Sequence, residues 1–113
     1  MSIQTLLLRA YAVVKRSGFF ETAPGAFLFS RAYFVYKRRL EDPFAVLIER
    51  YPELFQGGDI LDVGANIGYC SRLFARIADA GARVHAFEPE PDNLAILRRV
   101  LRWESCGQVT VVP

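Results

Sequence analysis

The sequence contains too few cysteines for a disulfide framework. Its two cysteines, Cys70 and Cys106, lie far apart and form no CxxC pair, so a cysteine-based metal site is excluded as well. We predict two free thiols, as expected in a reducing compartment such as the cytoplasm. The N-terminus also lacks an uninterrupted apolar segment followed by a cleavage site, because Arg9 and Lys15 break it, which argues against secretion.

Long apolar runs and an excess of charge are also missing. No uncharged apolar stretch approaches the roughly 20 residues that cross a bilayer, so no transmembrane segment is predicted. The formal net charge of +2 is too small to indicate nucleic-acid binding, and the motifs of common DNA- and RNA-binding modules are absent. We therefore predict no nucleic-acid partner.

The composition is that of a folded protein, although the chain is short for the fold it encodes. Hydrophobic residues make up 52% of the 113 residues, and no low-complexity run interrupts them, which excludes a disordered segment. A sheet with helices on both faces usually needs a longer chain to bury its core. We therefore expect an incomplete, N-terminal fragment of a domain.

Residues 1–56 are predicted to form an N-terminal helical region. Apolar residues recur at helical spacing, and a loop is expected at Pro24-Gly25. Asp42-Pro43 is a good helix start, because Asp can cap free amides and Pro has no N–H to leave unpaired. The predicted helices are Ile3–Arg16, Phe27–Leu40 and Pro43–Tyr51.

Strands and helices alternate in residues 57–113. This alternation predicts an α/β fold, a Rossmann-like doubly wound parallel sheet of which the first three strands are present. Gly81 is expected to stop the first helix of this part, and Asp92 is expected to cap the second. The predicted elements are a strand at 59–63, a helix at 67–80, a strand at 83–87, a helix after Asp92 and a strand from Gln108 onward.

Residues typical of a nucleoside-binding site follow the first two strands. Gly64 and Gly68 lie where the first strand turns into a helix, and glycines there let the backbone turn tightly and a ligand approach. Glu88 ends the second strand, where a carboxylate can accept hydrogen bonds from both hydroxyls of a ribose. Each acid has a plainer interpretation, Glu88 as a solvated strand end and Asp62 as a cap of the turn.

The glycine spacing does not fit a dinucleotide-binding fingerprint. GxGxxG would place glycine at two positions where this sequence has Asn66 and Tyr69. An NAD-dependent oxidoreductase is therefore the weakest of the functional hypotheses.

The spacing Asp62-x-Gly64-x-Asn66-x-Gly68 instead resembles the first motif of class I methyltransferases, with Asn in place of the middle glycine. The string Asp-Val-Gly-Ala-Asn-Ile-Gly-Tyr, followed by Phe-Glu-Pro at 87–89, resembles the FkbM-type family of S-adenosylmethionine-dependent methyltransferases. The resemblance is close over residues 58–101 and poor before Asp42.

This resemblance implies a cofactor, a set of binding residues and a class of acceptor. The cofactor would be S-adenosylmethionine. Asp62 would orient the loop and the amino group of the cofactor, and Glu88 would hold its ribose. The acceptor would be a hydroxyl group of a small molecule or a glycan. The residues that would shape the loop around the methionine part of the cofactor are Gly64, Ala65, Asn66 and Gly68.

Two functions from different classes remain open. One is a methyltransferase whose catalytic groups lie beyond residue 113, so that no catalytic residue and no metal ligand is assigned and the chain alone is inactive. The other is a non-catalytic cofactor-binding or assembly subunit with half of the fold. Either one could be completed by a partner chain or a downstream domain, since the first strand would otherwise have a free edge.

Two further features have modest interpretations. His85 lies within the second strand and is predicted to be a packed, hydrogen-bonded residue, because no nucleophile or metal ligand accompanies it. Lys37, Arg38 and Arg39 are predicted to be a solvated helix end. Contact of the basic, aromatic N-terminal helices with a membrane surface is a minority hypothesis.

Overall fold

The N-terminal half of the chain is helical, as predicted. The computed structural model describes residues 1–113. Helices α1, α2 and α3 comprise Ile3–Arg16, Ala23–Leu40 and Pro43–Arg50, and short 3-10 helices lie at Phe19–Glu21 and Pro52–Phe55. No helix combines the length and the apolar character that crossing a membrane requires.

The second half is an α/β unit with three parallel strands. Its elements are β1 (Ile60–Val63), α4 (Tyr69–Ile77), β2 (Val84–Phe87), α5 (Pro91–Trp103) and β3 (Val109–Val112). The strand order is β1-β2-β3, and the register places Val63 beside Phe87. The carboxyl ends of β1 and β2 are therefore level, which confirms the predicted α/β sheet and brings the two chain segments that follow these strands together.

Helices cover one face of this sheet. Val84 and Ala86 of β2 are fully buried in a core formed with apolar residues of α4 and α5. Successive side chains of a strand point to opposite faces. Leu61 and Val63 of β1 accordingly face away from that core, and they are 65% and 81% exposed. β1 also has no strand on its other side, so both an apolar sheet face and a strand edge are open.

The N-terminal helices differ in how firmly they attach to this unit. α2 packs on α5, where Ala26 and Phe34 are buried against Ile96 and Val100. α1 contacts mainly the 3-10 helix at 19–21. None of the residues of α1 is buried.

Two helix starts differ from the sequence prediction. α2 begins at Ala23 because the Thr22 side chain accepts a hydrogen bond from the Gly25 amide at 3.1 Å, so the predicted loop at Pro24-Gly25 was wrong. Pro24 is tolerated in the first turn, where its missing N–H costs no hydrogen bond. α5 is capped by Glu90 instead of Asp92, and its carboxylate accepts from the Asn93 amide at 2.8 Å.

Helix α4 is shorter than predicted at both ends. Gly68, with φ 95°, immediately precedes it, and such a left-handed residue cannot belong to the helix. At the other end the helix stops at Ile77, before Gly81 is reached. A side chain at Gly68 would also collide with α5, because an added Cβ would lie 2.7 Å from Leu97 Cδ1.

We expect Gly68→Ala to lower the free energy of unfolding by at least about 2 kcal/mol, because it adds a steric clash to the cost of the left-handed backbone. Gly81→Ala is the matched control, since Gly81 has a similar φ of 84° and no atom near its Cβ position. Its cost should be about 1 kcal/mol. Urea unfolding of both variants measures the difference, and equal losses would show that packing against α5 is unimportant.

Candidate cofactor site

The loop after β1 has an unusual backbone conformation. Gly64, Asn66 and Gly68 all have positive φ angles, of 75°, 55° and 95°. Among residues with a side chain, Asn is one of those that adopt this region most readily, which explains how Asn66 can occupy a position where the methyltransferase motif has glycine. No atom lies within 4 Å of a Cβ added at Gly64, so the backbone there is open to a ligand.

Backbone hydrogen bonds fasten this loop to the end of β2. The amides of Gly64 and Ala65 both donate to the carbonyl oxygen of Phe87, at 3.0 and 2.9 Å. The loop and the second strand therefore form one unit at the carboxyl edge of the sheet.

Glu88 holds the same loop through its side chain. Only 6% of the surface of Glu88 is exposed. Its Oε2 accepts from the Asn66 amide at 2.7 Å, and its Oε1 accepts from the Glu90 amide at 2.9 Å. A carboxylate oxygen has two lone pairs, so each oxygen can accept one further hydrogen bond. Glu88 thus has a structural role that the sequence did not indicate, in addition to the capacity to bind hydroxyl groups.

Asp62 links β1 to the first turn of α4. Only 8% of Asp62 is exposed, and its Oδ2 accepts from Ser71 Oγ at 2.6 Å. Burial raises the pKa of the Asp62 carboxyl above its usual value, and the hydrogen bond from Ser71 offsets part of that rise. Asp62 thus joins the strand that precedes the glycine loop to the helix that follows it.

A cavity of about 150 Å³ separates the loop from the junction of α2 and α3. Four of the predicted site residues line it, namely Asp62, Gly64, Ala65 and Asn66. Opposite them lie Tyr33 and Lys37 of α2 and the junction residues Glu41 and Asp42. Three carboxylates and one ammonium group thus line the cavity, which favours a ligand with net positive charge.

Tyr69 fixes the position of the junction over the loop. Its hydroxyl donates to Asp42 Oδ2, while Asp42 Oδ1 accepts from the amides of Phe44 and Ala45 at 2.7 and 3.0 Å. The start of α3 is therefore joined to the start of α4. Burial, together with the hydrogen bond to Asp42, raises the pKa of Tyr69 to about 12, so this hydroxyl remains a donor at neutral pH.

Gly68 and Glu88 do not line this cavity. Gly68 is buried below Leu97 of α5, so its lack of a side chain serves packing. Glu88 reaches the cavity indirectly, through the Asn66 amide that it binds. Asn66 also borders a second cavity of about 540 Å³, between α1, α2 and the start of α5.

Sequence reasoning missed the residues opposite the loop and placed His85 correctly. Tyr33, Lys37 and Asp42 precede the region of close family resemblance. Tyr69 lies within it, but no local pattern indicated that any of these residues would meet across the cavity. His85 Nε2 lies 2.9 Å from Asp59 Oδ2, at the other end of the strand from the loop, which confirms the predicted hydrogen-bonded role.

The second half of the chain resembles known proteins. Residues 62–111 match the model of the methyltransferase FkbM domain. The 31-O-demethyl-FK506 methyltransferase FkbM of Streptomyces tacrolimicus is 47% identical over 58 residues, which are 50% of this chain and 22% of that protein. The resemblance to FkbM-type methyltransferases is therefore confirmed over this region, and it supports a methyltransferase role.

A solved structure shares the fold. The crystal structure of EvdMO1 superposes with a TM-score of 0.52 and 24% sequence identity, over 64% of this chain and 17% of that one. At this identity the likeness concerns the fold alone. The chain spans about a fifth of the length of the relatives it matches.

We expect Glu88→Gln to lower the free energy of unfolding by about 1–3 kcal/mol, because one of the two amides that Glu88 binds would then face an NH₂ group instead of an acceptor. Amide hydrogen exchange at Asn66 or Glu90 should accelerate as well. Glu53→Gln, at an exposed position without a side-chain hydrogen bond, is the control and should change stability by less than about 0.5 kcal/mol. Equal stability of the two variants would show that Glu88 does not hold the loop.

Proposed function

We propose that residues 57–113 form the S-adenosylmethionine-binding part of a methyltransferase domain that acts on a hydroxyl group of a small molecule or a glycan. The observation that carries the proposal is that Asp62, Gly64, Ala65 and Asn66 line one cavity while Glu88 binds the Asn66 amide. The match of residues 62–111 to the FkbM domain supports the reaction class. The name of the Streptomyces relative, a 31-O-demethyl-FK506 methyltransferase, supports an oxygen acceptor.

The residues present fit this cofactor in charge, and the backbone at Gly64 is open to it. S-adenosylmethionine carries a sulfonium, an ammonium and a carboxylate group, so its net charge is positive and matches a cavity with an excess of carboxylates. Gly64 leaves the backbone open where a side chain would fill the approach. The pyrophosphate of a dinucleotide is negative and would be repelled by Asp42 and Asp62, which argues against NAD.

Each residue has a proposed role in binding. Glu88 accepts hydrogen bonds from the ribose with its remaining lone pairs, while Asp62 orients the loop and the cofactor's amino group. Gly64, Ala65 and Asn66 shape the loop around the methionine part, and Gly68 keeps the loop close to α5. When bound, the cofactor supplies a methyl group activated by its sulfonium.

Orientation of the two reactants accounts for much of the catalysis that such a site needs. We assign no catalytic residue. Tyr69 borders the cavity, but its hydroxyl stays protonated at neutral pH and so is not a general base. The group that accepts the proton of the acceptor hydroxyl belongs, in this proposal, to structure outside residues 1–113.

The open edge of β1 also supports the proposal that further structure supplies the catalytic groups. A further strand could pair there, and helices could cover the face that exposes Leu61 and Val63. We propose that a downstream segment or a partner chain provides this structure, and that residues 1–113 alone bind the cofactor without transferring its methyl group. The cytoplasmic location stays a prediction from the two free thiols.

A non-catalytic cofactor-binding or assembly subunit is the second candidate, and the same open edge favours it. The two candidates differ in the result expected when the missing part of the fold is supplied. Methyl transfer that appears when further chain is supplied identifies the enzyme, whereas binding without transfer identifies the subunit.

Isothermal titration calorimetry of residues 1–113 with S-adenosylmethionine and with NAD tests the binding site. We expect heat of binding with the first ligand and none with the second. Binding of NAD alone, or of neither ligand by a chain shown to be folded by circular dichroism, would contradict the proposal.

We expect Asp62→Asn to weaken cofactor binding without lowering the stability of the fold at pH 7. Because burial raises the pKa of Asp62 in the folded state, ionisation of its carboxyl destabilises the fold. The contribution of Asp62 to the free energy of unfolding therefore falls as pH rises from about 3.8 through the folded pKa. The variant should therefore be at least as stable as the parent at pH 7, and its advantage should vanish in acid. Its affinity for S-adenosylmethionine should fall about tenfold, because the cavity loses a charge next to the ligand.

Asp92→Asn is the matched control, because Asp92 is exposed and lies outside the cavity. It should leave cofactor affinity unchanged and lower stability at pH 7 by at most about 1 kcal/mol, because Asp92 lies in the first turn of α5. The interpretation of Asp62 fails if Asp62→Asn is less stable than the parent at pH 7 and binds the cofactor equally well. Unfolding in urea between pH 4 and 8, together with calorimetric titration, measures both quantities.

A further inference from the structure

Helix α1 has little contact with the rest of the chain. Tyr11 is its main point of attachment, with its ring centroid 5.8 Å from that of Phe20 and 5.7 Å from that of Phe29. No residue of the helix is buried, and Val14 is the one that is covered most. Most of the surface of α1 therefore lies free in the structure.

One side of α1, which borders Tyr11, is apolar and still largely exposed. Residues spaced by three or four positions share one face of a helix, which places Ile3, Leu6, Leu7 and Val13 together with Ala10. The four large side chains are 79%, 55%, 63% and 68% exposed. A contiguous apolar surface of this kind is unusual on a protein in water unless something binds to it.

The charge around this surface is positive. Residues 1–20 contain Arg9, Lys15 and Arg16 and no acidic residue. Residues 1–40 contain seven basic residues and one acidic residue, a net charge of +6, whereas residues 41–113 contain seven basic and eleven acidic residues, a net charge of −4. The modest charge of the whole chain thus hides a strong asymmetry between its two parts.

We infer that α1 is an interfacial helix that docks the protein on an anionic lipid surface. Its apolar side enters the boundary between headgroups and acyl chains, while Arg9 and Arg16 on the flank reach lipid phosphates. The helix lies in the plane of the membrane, since no helix of the structure is able to span one. The negative charge of the remaining chain orients the α1 side toward the lipid.

A lipid surface fits these observations better than a protein surface of similar polarity. The positive charge extends over the whole N-terminal helical part, including Lys37, Arg38 and Arg39, so the attraction acts over a broad area. A second copy of this chain would bring two such positive parts together, and they would repel each other.

Sedimentation with vesicles tests the inference on residues 1–113. We expect the chain to bind phosphatidylcholine vesicles that contain phosphatidylserine, and to bind vesicles of phosphatidylcholine alone at least about tenfold more weakly. High salt should weaken the binding, because it screens the attraction of the basic residues.

Leu6→Glu and Gln4→Glu form a matched pair of variants. Both add one negative charge to the first half of α1, but only the first one alters the apolar side, and both positions are exposed. Leu6→Glu should reduce vesicle binding at least about tenfold relative to Gln4→Glu. Circular dichroism of both variants controls for folding.

Three outcomes would overturn the inference. The first is absence of binding to phosphatidylserine-containing vesicles, and the second is equal binding by the two variants. The third is a chain that binds no vesicles but self-associates in analytical ultracentrifugation, with Leu6→Glu abolishing the self-association. The last outcome would assign the apolar side of α1 to a second copy of the chain.

Discussion

The hydrogen bond from the Asn66 amide to Glu88 Oε2 holds the candidate site together. It joins the loop after β1 to the end of β2, and the other oxygen of Glu88 binds the amide of Glu90, which caps α5. One buried carboxylate thus connects a loop, a strand and the start of a helix. A buried carboxylate is costly unless it is hydrogen-bonded, and these amides supply that compensation while its remaining lone pairs stay available to a ligand.

Much of this arrangement could be predicted from the sequence, because it depends on local patterns. Short apolar runs between amphipathic helices indicated parallel strands, and parallel strands place their carboxyl ends at one edge. Asp62 lies one residue before the end of β1 and Glu88 directly follows β2, so their proximity follows from the topology. Helix ends were less predictable. Pro91 allows α5 to begin just after Glu90, although Asp92 is the better cap by residue type.

The remainder depended on contacts between distant parts of the chain. Periodicity indicates that a helix has an apolar side, but it does not indicate what that side contacts. The meeting of Asp42 with Tyr69 depends on how α3 lies on α4, and the requirement for glycine at residue 68 depends on Leu97 of α5. The same limit applies to α1, whose apolar side was evident from spacing while its exposure became evident only in the structure.

The central claim is that S-adenosylmethionine binds on the loop at the carboxyl ends of β1 and β2. Nuclear magnetic resonance of the ¹⁵N-labelled chain during titration with this cofactor tests it most directly. We expect the largest shifts at the amides of Gly64, Ala65 and Asn66, with slower exchange of the Asn66 amide that donates to Glu88. Shifts confined to the opposite edge of the sheet, near Asp59 and Arg83, would contradict it.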